Sequence, residues 1–367
     1  MQVLVAMSGG VDSSVAAALL TDAGHDVVGA TLKLWGGPSD SGCCSVADVE
    51  DARRVAQQLG LDHHVFNLTE EFESSVVAPY TVAHAEGATP NPCIECNRHI
   101  KFDRLLERAR RLGFDAVATG HHARVVAEAA EGVDTTRYRL LRGIDAQKDQ
   151  SYVLSMLGQA QLAGVLLPVG HLTKREVRRL ATDRQLRTAA KPDSQDVCFI
   201  HGAVGRRGFL GQRLDLHAGK VVDAVTDDVV GEVEAVELVT VGQRRGMGHG
   251  SDGRRRYVVA VDVPGRRVMV APPEVAASDR VFLRPGSLTW VGEPLASGSQ
   301  AFAQVSAHGR PVGCTYESEA GDPTVRFDRA ERLVAPGQTV ALYDAGRPDA
   351  VLGAGIAAAP RRIDPLP

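Results

Sequence analysis

The sequence predicts an α/β protein: an N-terminal parallel sheet with helices on both faces, then a small mostly-β central domain and a C-terminal β-barrel domain. Three observations carry this. Up to Gly120 short apolar runs alternate with helical patterns, the signature of parallel strands joined by crossover helices. From about residue 205 the helical period gives way to short Val-rich runs broken by Gly, Pro and Asp. The first apolar run also leads straight into Ser8-Gly9-Gly10, a tight turn that opens a helix.

In order, Gln2–Met7 reads as a buried strand. Val11–Ala23 reads as a helix, with Val11, Val15, Ala18 and Leu19 at helical spacing and Gly24 as its stop. Strands are expected at 26–34, 64–68 and 114–119, and helices at 46–59, 70–85 and from about Asn97 to Leu112. Val125–Ala129 and Arg137–Leu141 suggest a hairpin, and Lys174–Arg184 an amphipathic helix rich in Arg and Lys. Strands are then expected at 220–225, 237–241, 256–261 and 267–270. Further strands follow at 280–283, 301–306, 323–327, 338–343 and 351–356. This places the domains at 1–204, 205–273 and 274–367, with the second linker near Pro272-Pro273.

The chain of 367 residues is 44% hydrophobic, enough for several cores. A net charge of -4 rules out a uniformly basic RNA-coating protein, so any nucleic-acid contact has to use local patches. Neither a signal peptide nor a membrane span is read, and a cytoplasmic location is expected. In that compartment six cysteines do not read as a disulfide framework; a disulfide there is transient and catalytic.

The segment Ser8-Gly9-Gly10-Val11-Asp12-Ser13-Ser14 suits a nucleotide's phosphates. The glycines aim successive N–H groups at one point, and the helix start adds about half a positive charge. Hydroxyls of Ser8, Ser13 and Ser14 can donate to phosphate oxygens, and Asp12 can face a phosphate-bound Mg²⁺. The order of residues is not the Gly-Lys-Ser/Thr loop of ordinary NTPases. It resembles the PP-loop of the ATP pyrophosphatases, which split ATP into AMP and pyrophosphate.

Cys93 and Cys96 lie in Thr89-Pro90-Asn91-Pro92-Cys93-Ile94-Glu95-Cys96-Asn97. The prolines hold off helix until about Cys93, which puts Cys96 near a helix start where thiols ionise more readily. Cys198 follows a polar turn and enters an apolar stretch. Cys314 reads as core; Cys43 and Cys44 stay open. Zinc on Cys93 and Cys96 would lack a second well-spaced pair. A thiol pair performing sulfur chemistry is the reading that fits beside a nucleotide motif.

Along nearly its whole length the chain resembles the tRNA-specific 2-thiouridylases. The motifs are Ala6–Ser14, Thr89–Asn97 with Ile100-Lys101-Phe102, Ala118-Thr119-Gly120-His121, Lys148-Asp149-Gln150-Ser151-Tyr152, Asp193–Ile200, Gly242-Gln243-Arg244-Arg245-Gly246 and Pro336-Gly337-Gln338. The resemblance implies an adenine nucleotide alpha-hydrolase-like PP-loop domain that binds ATP and Mg²⁺. Its ATP site would comprise Ala6, Met7, Ser8, Gly9, Gly10, Val11, Asp12 and Ser13, with Leu32 and Gly120 lining the adenosine pocket. It implies Cys96 as nucleophile and Cys198 as carrier of a persulfide, with a transient disulfide between them. Asn91, Pro92 and Cys93 would border the target base; His121, Lys148, Asp149, Gln150 and Gln338 would touch tRNA. The partners implied are a sulfur-relay donor protein and the anticodon loops of lysine, glutamate and glutamine tRNAs. Cys93 stands where some members carry Asp, so Cys93, Cys96 and Cys198 could instead hold a [4Fe–4S] cluster. Ser306-Ala307-His308 stands where other members read Arg-Tyr-Arg. Lys174, Arg175, Arg178, Arg179, Arg184 and the run Arg254-Arg255-Arg256 are candidate phosphate contacts, or simply solvated faces. A PP-loop synthetase making an amide or guanidinium, or an RNA- or metal-binding module, would leave Cys96, Cys198 or the nucleotide motif unexplained.

Overall fold

A computed structural model describes residues 1–35, 46–129, 136–193, 197–200, 205–319 and 321–359. The first sheet holds β1 (Gln2–Ala6), β2 (Asp26–Lys33), β3 (His63–Asn67) and β4 (Ala116–Thr119). Past a hairpin of β5 (Ala123–Ala129) and β6 (Thr136–Arg142) comes its last strand, β7 (Val165–Leu166). The order is β3-β2-β1-β4-β7, with every pair parallel. Because side chains alternate along a strand, β1 serves two cores. Val3 and Val5 pack with Val15 and Ala16 of α1 (Val11–Asp22), Val55 of α2 (Val46–Gln58) and Val177 of the helix Lys174–Asp183. Leu4 faces the other way, toward Phe72, Val76, Leu105 and Leu106. Each such Val, Leu or Phe side chain contributes about 1.5–3 kcal/mol by leaving water, so helices on both faces are what this strand pattern demands.

Two helices carry an unexpected π-helical stretch. One runs as Thr69–Phe72, Glu73–Val77 and Ala78–Ala85, the other as Pro92–Glu95, Cys96–Arg104 and Leu105–Arg111, the middle segment being π in each. The second begins at Pro92 rather than near Asn97. Asn91 caps it by accepting from the Cys93 N–H at 3.1 Å, and Pro92 takes the first helical position, where no N–H is needed.

A helix at Gly205–Gly211 precedes the central sheet, although no helix is expected beyond residue 205. That sheet contains β8 (Gly219–Asp223), β9 (Val229–Val233), β10 (Tyr257–Asp262) and β11 (Arg267–Ala271) in the order β10-β11-β8-β9. The strand expected at 237–241 is instead a single 3-10 turn, Val236–Leu238. Glu237 is buried, its carboxylate held by the His217 N–H at 3.0 Å and the His217 ring at 2.8 Å. The turn lets Val236 and Val239 both face the core.

The last domain has β12 (Ala277–Phe282), β13 (Thr289–Trp290), β14 (Ser299–Gln304), β15 (Val312–Glu319), β16 (Asp322–Arg332), β17 (Thr339–Asp344) and β18 (Val351–Ile356). Their order is β12-β16-β15-β14-β17-β18-β13. Past its end β12 also meets β18. Leu283 bridges Ala357, and the Arg284 N–H donates to the Ile356 carbonyl at 2.7 Å. This closes a barrel around Cys314, Val325, Phe327, Val340 and Leu342. Cys314 is buried, donates to the Ala301 carbonyl at 3.4 Å, and has its thiol pushed up to about 12 by that burial. Among the described residues no helix is long and apolar enough to cross a membrane.

Candidate active site

Strands β1 and β4 are neighbours whose chains leave toward opposite sides of the sheet, so a crevice opens at their C-terminal ends. The Ser8–Ser13 turn follows β1 there, and Gly120 follows β4. Gly9 has φ +71, and a Cβ on it would strike the backbone of Asp48 in α2. Gly120 lies so close that a Cβ would sit 2.5 Å from the Ser13 nitrogen and 2.6 Å from the Asp12 carbonyl carbon. Gly10 starts α1 in extended conformation with no side chain capping the helix, which leaves first-turn N–H groups for an anion. The Ser8 N–H donates to Ser13 Oγ at 3.2 Å, and the two hydroxyl oxygens are 3.4 Å apart. Ser14 departs from expectation. It is fully buried, donates to the Gly10 carbonyl at 2.8 Å and accepts from Thr188 at 3.0 Å, so its hydroxyl braces the helix.

A chain of charges crosses this turn. Thr173 and Glu176 form a capping box that starts the helix Lys174–Asp183, and Asp145 accepts from the Lys174 N–H at 2.9 Å. From there the Lys174 ammonium reaches both oxygens of Asp12, at 2.8 and 2.7 Å, and Asp193 at 2.8 Å. Asp193 also pairs with Lys148 at 2.8 Å and Arg178 at 2.7 Å. His122 Nε2 lies 3.1 Å from Asp12, while its buried Nδ1 has no partner among the described residues. Burial opposes ionisation of Asp12, but hydrogen bonds from His122 and Lys174 outweigh it and hold the carboxyl below its usual range. Asp193 feels the same contest. The ammonium groups of Lys148 and Lys174 win, bringing it from 3.8 to about 2.

That depression makes Asp193 a stability switch at acid pH. Its folded pKa is lowered, so its contribution is complete above about pH 4 and is lost as pH falls toward 2. In chemical denaturation, the midpoint gap between the native chain and Asp193→Asn should be constant from pH 7 to 5 and narrow between pH 4 and 2. A gap independent of pH would contradict this.

Cys93 is exposed, Cys96 buried and Cys198 half-buried. Cys96 opens the π-helical stretch and belongs to the apolar cluster of Leu32, Phe72, Ile100 and Phe199; Cys198 packs against the same cluster. The cluster therefore gathers Cys96, Cys198 and the β2 residue Leu32. Among the described residues no three His, Cys, Asp or Glu side chains converge as a metal site. Cys43, Cys44 and Ser194–Asp196 lie outside the described residues.

The Thr89–Cys93 segment is clasped by the barrel. The Thr89 N–H donates to the Pro336 carbonyl at 2.7 Å, and Gln338 donates to the Thr89 carbonyl at 2.7 Å. Gly337 has φ +88 and backs directly onto Thr89 and Pro90. Gln338 is thus occupied within the protein. His121 is buried, bonded to Thr119 Oγ1 at 2.7 Å, and kept neutral by burial well below its ordinary pKa. Asp149 accepts from Arg142 at 2.7 Å, from the Gly143 N–H at 3.0 Å and from Ser151. Gln150 accepts from the His122 N–H at 2.8 Å. In this structure Lys148, Asp149 and Gln150 order the crevice wall.

The basic runs divide. Arg178 and Lys174 are drawn into the site and Arg184 pairs with Asp22, leaving Arg175 and Arg179 exposed. Arg256 is buried against Asp223 at 2.7 Å, and Arg254 holds Glu274 at 2.7 Å. Sequence reasoning missed His122 altogether and read Lys174 as a surface cation. The Thr173–Glu176 box was visible as a helix start, but nothing along the chain joins position 174 to position 12.

A cradle of N–H groups at the switch point of a parallel sheet, crossed by cations and backed by a thiol-bearing apolar cluster, defines a nucleotide-dependent enzyme of the PP-loop class. Residues 1–202 match the family described as tRNA methyl transferase HUP domain. Residues 207–272 match the tRNA methyl transferase PRC-barrel domain, and 282–357 the aminomethyltransferase beta-barrel domain. The chain is 46% identical to the tRNA-specific 2-thiouridylase MnmA of Roseiflexus sp. (strain RS-1), over 96% of this chain and 98% of that one. It is 44% identical to the protein of the same name from Mycolicibacterium smegmatis (strain ATCC 700084 / mc(2)155), over 95% and 96%. Among solved structures, a 4-thiouridine synthetase in complex with RNA and bound ATP aligns with TM-score 0.36 and 18% identity, over 54% of this chain and 44% of that one. The chain belongs to the tRNA-specific 2-thiouridylase family.

Proposed function

We propose that the protein uses ATP to replace the 2-oxygen of the wobble uridine of tRNA with sulfur, in the cytoplasm, on tRNAs for lysine, glutamate and glutamine. Its working units are 1–204 for nucleotide and thiol chemistry, with 205–273 and 274–367 holding the RNA. The reading is supported above all by Cys96 and Cys198 sharing one apolar cluster with Leu32, on a sheet whose C-terminal edge carries the Ser8–Ser13 turn.

The 2-oxygen is a poor leaving group. Its attack on the α-phosphate of ATP expels pyrophosphate and ties the oxygen to AMP. Ala6 to Ser13 hold the phosphates, Leu32 and Gly120 line the adenosine pocket, and the Lys174 ammonium offsets charge on the departing pyrophosphate. Asp12 is the carboxylate that would hold a phosphate-bound Mg²⁺, which would supply further neutralisation of the phosphate charge. The outer sulfur of a persulfide on Cys198, charged by a relay protein, then bonds to C2 and AMP leaves with the oxygen. The Cys96 thiolate attacks the Cys198 sulfur; the sulfur–sulfur bond to the uridine breaks, and its electron pair stays on the new thiocarbonyl. A Cys96–Cys198 disulfide remains, and an external dithiol returns it to two thiols. Asn91, Pro92 and Cys93 border the flipped base, whose unstacking costs a few kcal/mol. His121, Lys148 to Gln150 and Gln338 shape the wall it enters.

Incubation with ATP, unmodified tRNA, a persulfide donor and a dithiol should release pyrophosphate only when tRNA is present and yield 2-thiouridine by mass spectrometry. Pyrophosphate release driven by a small amine without tRNA would identify an amide or guanidinium synthetase instead. Anaerobic purification followed by iron and labile-sulfide analysis decides the sulfur route, since stoichiometric iron would replace the persulfide by a cluster.

A further inference from the structure

A recess of about 500 Å³ takes no part in the chemistry above. It is lined by Gly242, Gln243, Arg244, Arg245, Tyr257 and Arg332. The first five come from the central sheet and its loops, whereas Arg332 ends β16, so the recess sits where the central domain meets the barrel. Gly242 (φ +85) and Gly246 (φ +78) bracket the two adjacent arginines in a conformation that glycine adopts without strain. Arg244 and Arg245 are exposed, while Met247 behind them is buried.

The pairing of charges sets these arginines apart. Nearby Arg254 holds Glu274, Arg256 holds Asp223, Arg267 holds Asp227 and Arg326 holds Glu317. Among the described residues, no carboxylate lies within ion-pair distance of Arg244, Arg245 or Arg332. The Arg332 guanidinium stands 6.0 Å from the Tyr257 ring centroid. Three unneutralised guanidinium groups around one concavity repel one another, and a ligand with several negative oxygens relieves that repulsion.

Both walls of the recess run to the target-base loop. Thr240 accepts a hydrogen bond from the Thr89 hydroxyl at 3.4 Å, and the chain from Thr240 to Gly242 spans at most about 7 Å. On the other wall, the residues after Arg332 lead to Pro336, Gly337 and Gln338, which clasp Thr89. An RNA whose base enters beside Asn91 has its flanking backbone along this strip.

The geometry points to a second RNA contact: Arg244, Arg245 and Arg332 bind backbone phosphates of the tRNA outside the target nucleotide, with Tyr257 as the apolar floor. This rests on the tRNA-thiolation reading above and names how that substrate is held. The test measures the dissociation constant of full-length tRNA across a salt series, for the native chain, Arg244→Ala/Arg245→Ala and Arg332→Ala. Arg254→Ala, which removes an already paired cation, is the control. The recess variants should weaken binding about tenfold or more and lower the slope of log K against log salt by about one per arginine. The control should match the native chain, and ATP binding in the absence of tRNA should be unchanged in all, which reports an intact fold. Native affinity and slope in the recess variants, with the native chain still thiolating, would overturn the site and leave the function standing. Arginine-dependent tRNA binding without any thiolation by the native chain would do the reverse. Unchanged tRNA binding with sulfur transfer lost only when a protein donor supplies it would assign the recess to that donor and also overturn the proposal.

Discussion

Serine in place of either Cys96 or Cys198 is expected to lower 2-thiouridine formation by roughly three orders of magnitude, as loss of a covalent nucleophile does. Adenylation should survive. The two residues lie in and against the apolar cluster of Phe199 and Ile100, which includes no residue of the Ser8–Ser13 turn, so tRNA-dependent pyrophosphate release should stay within a few-fold of native. The variants should also differ from each other. Cys198→Ser should fail to accept sulfur from a persulfide donor, whereas Cys96→Ser should accept it and stall with sulfur joined to Cys198. Thiolation at the native rate by either variant would end the two-thiol mechanism for that residue, and equal loss of pyrophosphate release would mean the thiol serves the nucleotide step.

Gly120→Ala should damage the opposite half of the reaction. The added methyl meets the backbone of Asp12 and Ser13 at 2.5–2.6 Å, and neither atom can swing away as a side-chain tip would. Overpacking of this kind costs about 1–3 kcal/mol. The relief available is displacement of the first turn of α1, the group of N–H donors facing the phosphates. ATP affinity should therefore fall about tenfold or more, with a lower unfolding midpoint. Gly24→Ala is the matched comparison. Gly24, unlike Gly120, has positive φ, at +79, but nothing lies within 4 Å of its missing Cβ, so Gly24→Ala should lose some stability through backbone strain and no ATP affinity. Equal ATP affinity for Gly120→Ala and the native chain would show that the turn tolerates movement.

The parallel sheet was legible because each strand is a short apolar run flanked by turn residues and each helix keeps its period. In the antiparallel barrel, too, Val351–Ile356 agrees with its expected span to the residue. What escaped is of two kinds. Short strands such as Val165–Leu166 and Thr289–Trp290 exist only through their partners, and Val236–Leu238 turns because Glu237 is drawn inward by His217, which overrides the strand preference of its valines. The second kind is long-range charge. Lys174 and Asp12 are 162 positions apart, Arg256 and Asp223 are 33 apart, and no local pattern encodes either encounter. Residues recognisable by type, such as Gly9, Gly10 and Cys96, could be named from the sequence. Those recognisable only by company, His122 foremost, could not.

One buried cluster joins Ile94, Phe102, Tyr152 and Leu154 to Val291, Tyr343, Val351 and Ala354. The Tyr152 hydroxyl donates to the Thr339 carbonyl at 2.9 Å, and the Arg142 guanidinium lies 3.7 Å from the Tyr343 ring centroid. A severed N-terminal half would therefore present a greasy, hydrogen-bond-hungry scar instead of a finished surface. The fragments are not interchangeable parts. A substitute for the barrel would have to present an equally apolar face to cover that scar.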